Sequence, residues 1–302
     1  MDLSIIIVSF NTMNITCECV KSVVKHTKGI YFEIIVVDNA SRDDSVKVLR
    51  SLNIKNLRII KNKKNIGFGS ANNQGMKIAK GNFILLLNSD TKVYDNVIGK
   101  MVLWQKLHPE IGIASCALKN PDGTLQDSGG YFPTLVRVFS WMMIQDVPGV
   151  DNLIKPFHPM KSKSFMRGES FYKEEKELDW VMGAFFLISK EVFEDVGFFD
   201  SDYFMYMEEV DYCYEAKKRG WRVYYLPSLS LTHIGGASGT RQTLVVGEYQ
   251  GIKTFFKKHY SRWQYPLLRI LLKIGSLGRI ILFGIVEGKE SASVYAKAFK
   301  AA

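Results

Sequence analysis

Two strongly apolar runs, Leu3 to Val8 and Phe83 to Leu87, bracket a third at Glu33 to Val37 and a weaker one at Leu57 to Ile60. Short runs without alternation predict strands buried on both faces, as in a parallel sheet covered by helices. Between them the period changes. Ile15, Cys19, Val20, Val23 and Val24 share one helical face, with Glu18, Lys21 and Lys25 elsewhere, which predicts a helix lying on the sheet. Ser41 and Asp44 have capping-box spacing ahead of a second helix. A third helix opens in the glycine and amide cluster Asn65 to Gly75 and stops at Gly81, with Lys77 and Lys80 in its last turn. Strand and helix alternate with short connections, which predicts right-handed crossovers in an α/β fold.

The second half is less regular. Val93 to His108 predicts a helix ending before Pro109, and Ile111 to Leu118 a strand ending at the turn Asn120 to Gly123. From Gln126 to about Lys176 no period is visible, which leaves a functional loop or short helices. Leu178 to Ile188 predicts one strand interrupted by Gly183, where a ligand or backbone can approach closely. Lys190 to Val196 predicts a short helix. An aromatic loop, Phe198 to Phe204, leads to a helix that carries Glu208, Glu209 and Asp211 in its first turn and ends at Arg219. Trp221 to Leu226 and Leu229 to Thr232 predict two strands separated by Pro227. Beyond them, Arg262, Arg269, Lys273, Ser276 and Arg279 fall within about one third of a helix circumference, and the rest is apolar. A spanning helix would bury three of those cations at about 3 kcal/mol each near its centre. An interfacial helix avoids that cost, its cations meeting an anionic membrane surface. The same apolar face suits the domain itself or a second subunit, so a homo-oligomer stays open.

At 302 residues the chain has room for one large α/β domain or two lobes. Its charge, 40 − 30 = +10, admits nucleic acid, an anionic membrane or a phosphorylated ligand. The C-terminal helix accounts for much of the excess, which argues against nucleic acid. Cys17, Cys19, Cys116 and Cys213 lack paired spacing and nearby histidines, the pattern of buried thiols in a reducing compartment rather than a zinc site. Met1-Asp2 leads directly into the first apolar run, without the layout of a signal peptide, so a cytoplasmic location is expected.

The candidate chemistry gathers at strand ends. Ser9 and Asn11 follow the first strand, Asp38 and Asn39 the second, and Asn88, Ser89 and Asp90 the fourth. In open α/β sheets ligands bind beyond the carboxyl ends of the strands. There Asp38 can accept a pyrimidine imide N–H, and Asp90 can hold a cation that binds phosphates; the plainer alternative is that Asn-Ser-Asp only turns the chain. No G-x-G-x-x-G follows the first strand and no P-loop is present, which disfavours dinucleotide binding and P-loop hydrolysis. The acidic cluster at Glu208 can complement a helix dipole or supply a general base. His233, at a strand end before a glycine-rich loop, can be structural or can complete a Mg²⁺ or Mn²⁺ shell, and Arg241 can neutralise a diphosphate.

Val8-Ser9-Phe10-Asn11, Val36-Val37-Asp38-Asn39-Ala40-Ser41, Asn65-x-Gly67-Phe68 with Ala71-Asn72-Asn73-x-Gly75, and Leu87-Asn88-Ser89-Asp90-Thr91 together resemble the ordered motifs of family 2 glycosyltransferases, the bacterial rhamnosyltransferases in particular. The resemblance implies a GT-A fold with a mixed, mostly parallel Rossmann-like sheet and a C-terminal helical extension. It implies a nucleotide-sugar-binding half over 1–100, an acceptor-binding half over 101–240 and a membrane-associating region over 241–302. The donor, a dTDP- or UDP-sugar with dTDP-L-rhamnose first, would contact Ser9, Asn11, Asp38, Asn39, Gly67, Asn72, Asn73, Asn88, Ser89 and Arg241. Mg²⁺ or Mn²⁺ would sit on Asp90 and His233. Trp180, Gly183 and Ala184 resemble the acceptor motif. The acidic pair that follows is Glu208-Glu209 where the family has Glu-Asp, which puts the base on Glu209 with Glu208 and Asp211 as alternatives. The implied acceptor is a lipid-linked surface glycan. A non-catalytic nucleotide-sugar-binding scaffold is the competing reading, and a nucleic-acid binder ranks last.

Overall fold

The computed structural model describes residues 1–145, 147, 149–159, 169–237 and 239–302. Strand β1 (Leu3–Ser9), helix α1 (Met13–His26), β2 (Phe32–Asp38), α2 (Ser45–Ser51), β3 (Leu57–Lys61), α3 (Phe68–Ile78) and β4 (Phe83–Leu87) follow in the expected order. β1 lies between β2 and β4, parallel to both, and β3 joins β2 in parallel. Alternate side chains enter opposite layers because strand side chains alternate: Ile6, Ile35 and Leu86 join one apolar cluster, Ile5, Ile34 and Leu85 the other. The continuous apolar runs follow from this, since neither face meets water. The capping box does not form. α2 starts at Ser45 with no side-chain cap bond from Asp44, while Ser41 Oγ accepts the Asn11 N–H at 2.9 Å and Asp43 takes the Ser45 N–H.

The chain continues through β5 (Thr91–Lys92), α4 (Val97–Lys106), β6 (Ile111–Lys119), β7 (Gly129–Gly130), α5 (Leu135–Phe139) with a π turn over Ser140–Ile144, and α6 (Val150–Leu153). The expected single strand around Gly183 is three. β8 (Lys176–Leu178) pairs with β11 (Arg222–His233), β9 (Trp180–Val181) pairs with β7 in a separate ribbon, and β10 (Phe185–Ser189) inserts antiparallel between β4 and β6. Before β11 come α7 (Lys190–Val196) and α8 (Glu208–Lys218). β11 is one strand where two were expected. It runs parallel to β6 across a register irregularity between Leu226 and Ser230, where Pro227 has no N–H for the ladder. The sheet order is β3-β2-β1-β4-β10-β6-β11-β5, with β8 also beside β11; only β5, β8 and β10 oppose the common direction.

Three helices close the chain: α9 (Arg241–His259), α10 (Gln264–Val286) and α11 (Lys289–Ala301). Among the described residues, no helix is long and apolar enough to cross a membrane. The expected outward cation stripe on α10 is corrected. Ser276 is fully buried, Arg279 donates to the Trp141 carbonyl at 2.9 Å, Arg269 donates to the Ala302 carbonyl at 3.0 Å, and Lys273 lies 5.6 Å over the Phe299 ring. The rings and carbonyls of neighbouring segments engage these groups, while Arg269 itself stays exposed. Outward stand Ile270, Ile274, Leu277 and Ile281, each more than half exposed.

Candidate active site

The ends of β1, β2 and β4 meet at one edge of the sheet. Asp38 is fully buried there. Its Oδ2 accepts the Ser41 N–H at 3.3 Å, and its Oδ1 has no partner. Buried carboxylate oxygens are ordinarily bonded, so a bare one suits a ligand donor. The surrounding amides are committed elsewhere. Ser9 Oγ lies with the hydroxyls of Thr12 and Thr16 at 3.2 and 2.9 Å. Asn11, in the left-handed region at φ 54, accepts the Arg42 N–H at 2.8 Å. Asn39 donates to Asn65 and Gly67 and accepts from Asn62 and Ile66. These bonds set the loop shape around Asp38 and leave little for a ligand.

Gly67, Asn72 and Asn73, expected at the donor, form a clasp in this structure. Asn72 bonds the Phe68 carbonyl one turn back. Asn73 exchanges two bonds with the Phe199 backbone, at 2.8 and 2.9 Å, and Phe68 N–H donates to the Phe204 carbonyl at 2.8 Å. A Cβ on Gly67 would lie 2.3 Å from that same carbonyl oxygen. The glycine is there so that α3 can hold the aromatic loop ahead of α8.

Beyond β4, pairing of β5 with β11 sets His233 opposite Thr91. Asn88 N–H donates to the Ala184 carbonyl at 3.1 Å, and Ser89 and Asp90 are buried. Gln126 Nε2 donates to Asn120 Oδ1 and the His233 carbonyl, so its Oε1 accepts from His233 Nδ1 at 2.8 Å. That network puts the proton on Nδ1. The Nε2 lone pair then faces Asn88 Nδ2 at 3.2 Å and Asp90 Oδ1 at 3.2 Å. Two electron-rich atoms at that separation call for a proton or a cation. Ligands about 2.1 Å from a metal at right angles lie about 3 Å apart, and Mg²⁺ is commonly held by one or two protein groups plus phosphates and water. The pair therefore fits Mg²⁺ or Mn²⁺. Burial pushes the Asp90 carboxyl up; with His233 doubly protonated, the ring's charge and Nε2–H, together with the N–H groups of Asp90 and Ala237, hold it below the usual carboxylate range.

Across the same cavity, α8 begins with Glu208 and Glu209. Tyr206 and Met207 just before it sit at φ 73 and 75, a strained conformation costing about 1–3 kcal/mol each. α9 holds them there: a Cβ on Gly247 would meet Tyr206 at 2.6 Å, and one on Gly251 would meet Met207 at 2.6 Å. Glu208 is 2% exposed and packs beside Gly69. Glu209 stays partly open and accepts the Gly183 N–H. Each has an unpartnered Oε2. Burial is the main force raising both carboxyls above the usual range, and for Glu208 the neighbouring Glu209 adds to it. Asp211 lies outside the lining of the cavity: Tyr203, His259 and Lys258 donate to its oxygens at 3.1, 2.6 and 2.8 Å.

On the acceptor side, Trp180 is buried with its indole N–H on the Tyr131 carbonyl, and Ala184 lines the wall with Gly183. His158 also lines it, a residue in the stretch that showed no sequence period. It lies between Glu248 at 2.5 Å and Asp127 at 3.4 Å. Burial disfavours its charge, yet the two carboxylates push its pKa up to about 10, so the ring is an imidazolium at neutral pH. No local signal marked this histidine, because both partners are distant in sequence. Arg241 lines the cavity too, but is bonded to Glu287 at 2.5 Å and Ser291 at 3.0 Å. The cavity, about 1760 Å³, exceeds the few hundred to about 1,000 Å³ of a site for one small ligand.

The family model for Glycosyl transferase family 2 matches residues 4–215. The chain is 25% identical over 260 residues to the N-acetylglucosaminyl-diphospho-decaprenol L-rhamnosyltransferase of Mycobacterium tuberculosis, covering 81% of this chain and 80% of that protein. It is 25% identical over 292 residues to the low-salt glycan biosynthesis hexosyltransferase Agl10 of Haloferax volcanii, covering 90% and 82%. The solved structure of the mannosyltransferase PcManGT from Pyrobaculum calidifontis, in complex with GDP-Man and Mn²⁺, superposes with a TM-score of 0.58 at 13% identity. The superposition covers 99% of this chain and 85% of that one.

Proposed function

This chain belongs to glycosyltransferase family 2 and has the GT-A fold, and from that premise we propose a metal-dependent, inverting transfer of a sugar from a nucleoside diphosphate donor to a hydroxyl of a lipid-linked surface-glycan acceptor. L-Rhamnose from dTDP-rhamnose is the first candidate, supported by likeness to the mycobacterial rhamnosyltransferase, whose name carries a decaprenol-linked acceptor.

The observation that carries this reading is one cavity bounded by Asp90 and His233 on one side and Glu209 on the other. Asp38 would take the base of the donor through its bare Oδ1. Asp90 and His233 would hold Mg²⁺ or Mn²⁺, whose charge offsets that of the departing diphosphate. Glu209, the more open of the two glutamates, takes the proton of the acceptor hydroxyl as its oxygen attacks the anomeric carbon. The bond from that carbon to the diphosphate breaks, its electron pair leaves with the phosphate oxygen, and attack from the opposite face inverts the centre. Glu208 shapes the neighbouring wall. The outward apolar row of α10 supports a place at a membrane surface.

Transfer assays over a panel of nucleoside diphosphate sugars, with Mn²⁺ or Mg²⁺, test the reading. Asp90→Ala is expected to lower transfer by about 10²–10³-fold and to abolish metal-dependent donor binding. Unchanged metal-dependent transfer would overturn the mechanism. Tight donor binding by the natural protein without transfer or donor hydrolysis would favour the scaffold.

A further inference from the structure

The cavity does not end at Glu209. Its wall continues past Trp141 to Gly278, Arg279 and Leu282 of α10 and Tyr295 of α11, residues that the donor side does not use. Ring contacts trace the path. His158 lies 5.4 Å from Trp180 and 5.6 Å from Trp141, and the Arg279 guanidinium lies 4.9 Å over Trp141 and 5.8 Å over Tyr295. Arg241 reaches the same Tyr295 ring at 5.9 Å. Two guanidiniums thus meet at one point along the path. Arg241 is paired with Glu287, but among the described residues no carboxylate pairs with Arg279. A guanidinium held by rings, a carbonyl and the Tyr249 hydroxyl, with no carboxylate partner among the described residues, suits a phosphate-type anion.

Beyond the arginines the wall turns apolar and opens. A Cβ on Gly278 would meet nothing within 4 Å, and Leu282 and Met143, also lining the cavity, are 56% and 37% exposed. At 100° per residue, Gly278 and Leu282 flank the outward row Ile274, Leu277 and Ile281. The mouth of the cavity is therefore continuous with the exposed apolar face of α10.

We propose that this arm is the acceptor's lipid site. The acceptor sugar lies at Glu209, its anionic linker, a diphosphate, passes Arg279 and Arg241, and an isoprenoid-like chain leaves between Gly278 and Leu282 onto the apolar face. The three zones of the cavity match the three parts of such an amphiphile, and a soluble neutral acceptor would leave two of them unused. The inference rests on the glycosyl-transfer reading, which fixes what is attached at Glu209.

Binding of a polyprenyl diphosphate to the full chain tests the site without requiring transfer. Arg279→Gln is expected to weaken binding about tenfold, one lost charge-assisted contact, and Arg279→Lys to restore part of it. Gly278→Trp fills the mouth and is expected to weaken long-chain diphosphates about tenfold while short-chain ones change by less than about twofold; because the position faces open space, its melting temperature should stay at that of the natural protein. Phosphatidylglycerol at equal concentration should not compete. Binding that neither variant moves, or that phosphatidylglycerol displaces equally well, would overturn the lipid site. Intact, variant-sensitive binding in a protein that transfers no sugar to any acceptor would sustain the site and defeat the transfer reading alone.

Discussion

Glu208 and Glu209 are neighbours with different tasks, and pH separates them. Glu209 must be ionised to accept a proton, and burial raises its carboxyl above the usual range. The rate should therefore climb as pH rises through that raised value, later than an ordinary glutamate would allow. Glu209→Gln should lower kcat by about 10²–10⁴-fold and erase the climb, whereas Glu208→Gln should keep it; the opposite pattern would move the base to Glu208. For stability the sign runs the other way. A carboxyl raised in the folded state binds more protons there than in the unfolded chain, so stability is full below the unfolded value near 4.5 and falls as pH rises through the folded one. Glu208→Gln removes that penalty, and its melting-temperature advantage should grow from pH 5 to pH 8. At this scale the sequence singled out Asp90, His233 and Glu209, which the fold brings around one cavity, because a carboxylate or imidazole at a strand or helix end has few local partners. The structural bonds of the amides were not legible: Asn39, Asn72 and Asn73 bond backbone groups that only the fold brings near.

Between elements, the decisive contact is α9 against the turn that precedes α8. Gly247 and Gly251 lie one helical turn apart, and the space they leave receives Tyr206 and Met207 in their left-handed conformation. Gly251→Ala would put a methyl 2.6 Å from Met207 Cγ and 2.9 Å from the Tyr206 carbonyl oxygen. Overpacking of this kind costs about 1–3 kcal/mol, and the helix gains back up to about 1 kcal/mol from losing a glycine. The net loss of stability is therefore small. The displacement falls on the residues that aim both glutamates, where a shift of about 1 Å can cost a hundredfold in rate. Calorimetry should show a change of only a few degrees while kcat drops about a hundredfold; a variant with unimpaired kcat would mean that α9 does not set the turn. The sequence reading singled out neither glycine, because their partner lies about forty residues away in the chain and only the fold brings it near. β1, β2 and β4 were legible because both faces are buried, which leaves one apolar signal, while β3, with Arg58 and Lys61 exposed, gave a weaker one. β9 and β10, with Leu178 at the end of the charged β8, merged into one expected strand because their apolar residues are nearly contiguous, and only pairing separates them.

For the molecule as a whole, α10 reverses the expected membrane geometry. Amphipathic periodicity alone placed Arg269, Lys273 and Arg279 toward lipid headgroups, but periodicity cannot tell whether a polar stripe faces water or the carbonyls and rings of its own chain. Here Arg279 and Lys273 are held against rings and a carbonyl of the same chain, Arg269 stays exposed with its Nε on the Ala302 carbonyl, and Ile270, Ile274, Leu277 and Ile281 face outward. Association with a bilayer would then depend on apolar burial, not on attraction to anionic lipid. Full burial of such a side chain contributes about 1.5–3 kcal/mol, and these four are only about half exposed to begin with, so together they supply a few kcal/mol. That is enough for reversible binding. Flotation with lipid vesicles should accordingly show binding that changes by less than about twofold between low salt and about 0.5 M salt, where the Debye length shrinks to a few ångströms. It should vary little between neutral and anionic vesicles. Ile274→Glu with Ile281→Glu should cut binding at least about tenfold, since each change removes an apolar contact and adds a charge. Binding that collapses in salt and survives the double substitution would return the anchoring to exposed cations elsewhere on the molecule, and the apolar face of α10 would then belong to a second copy of the chain.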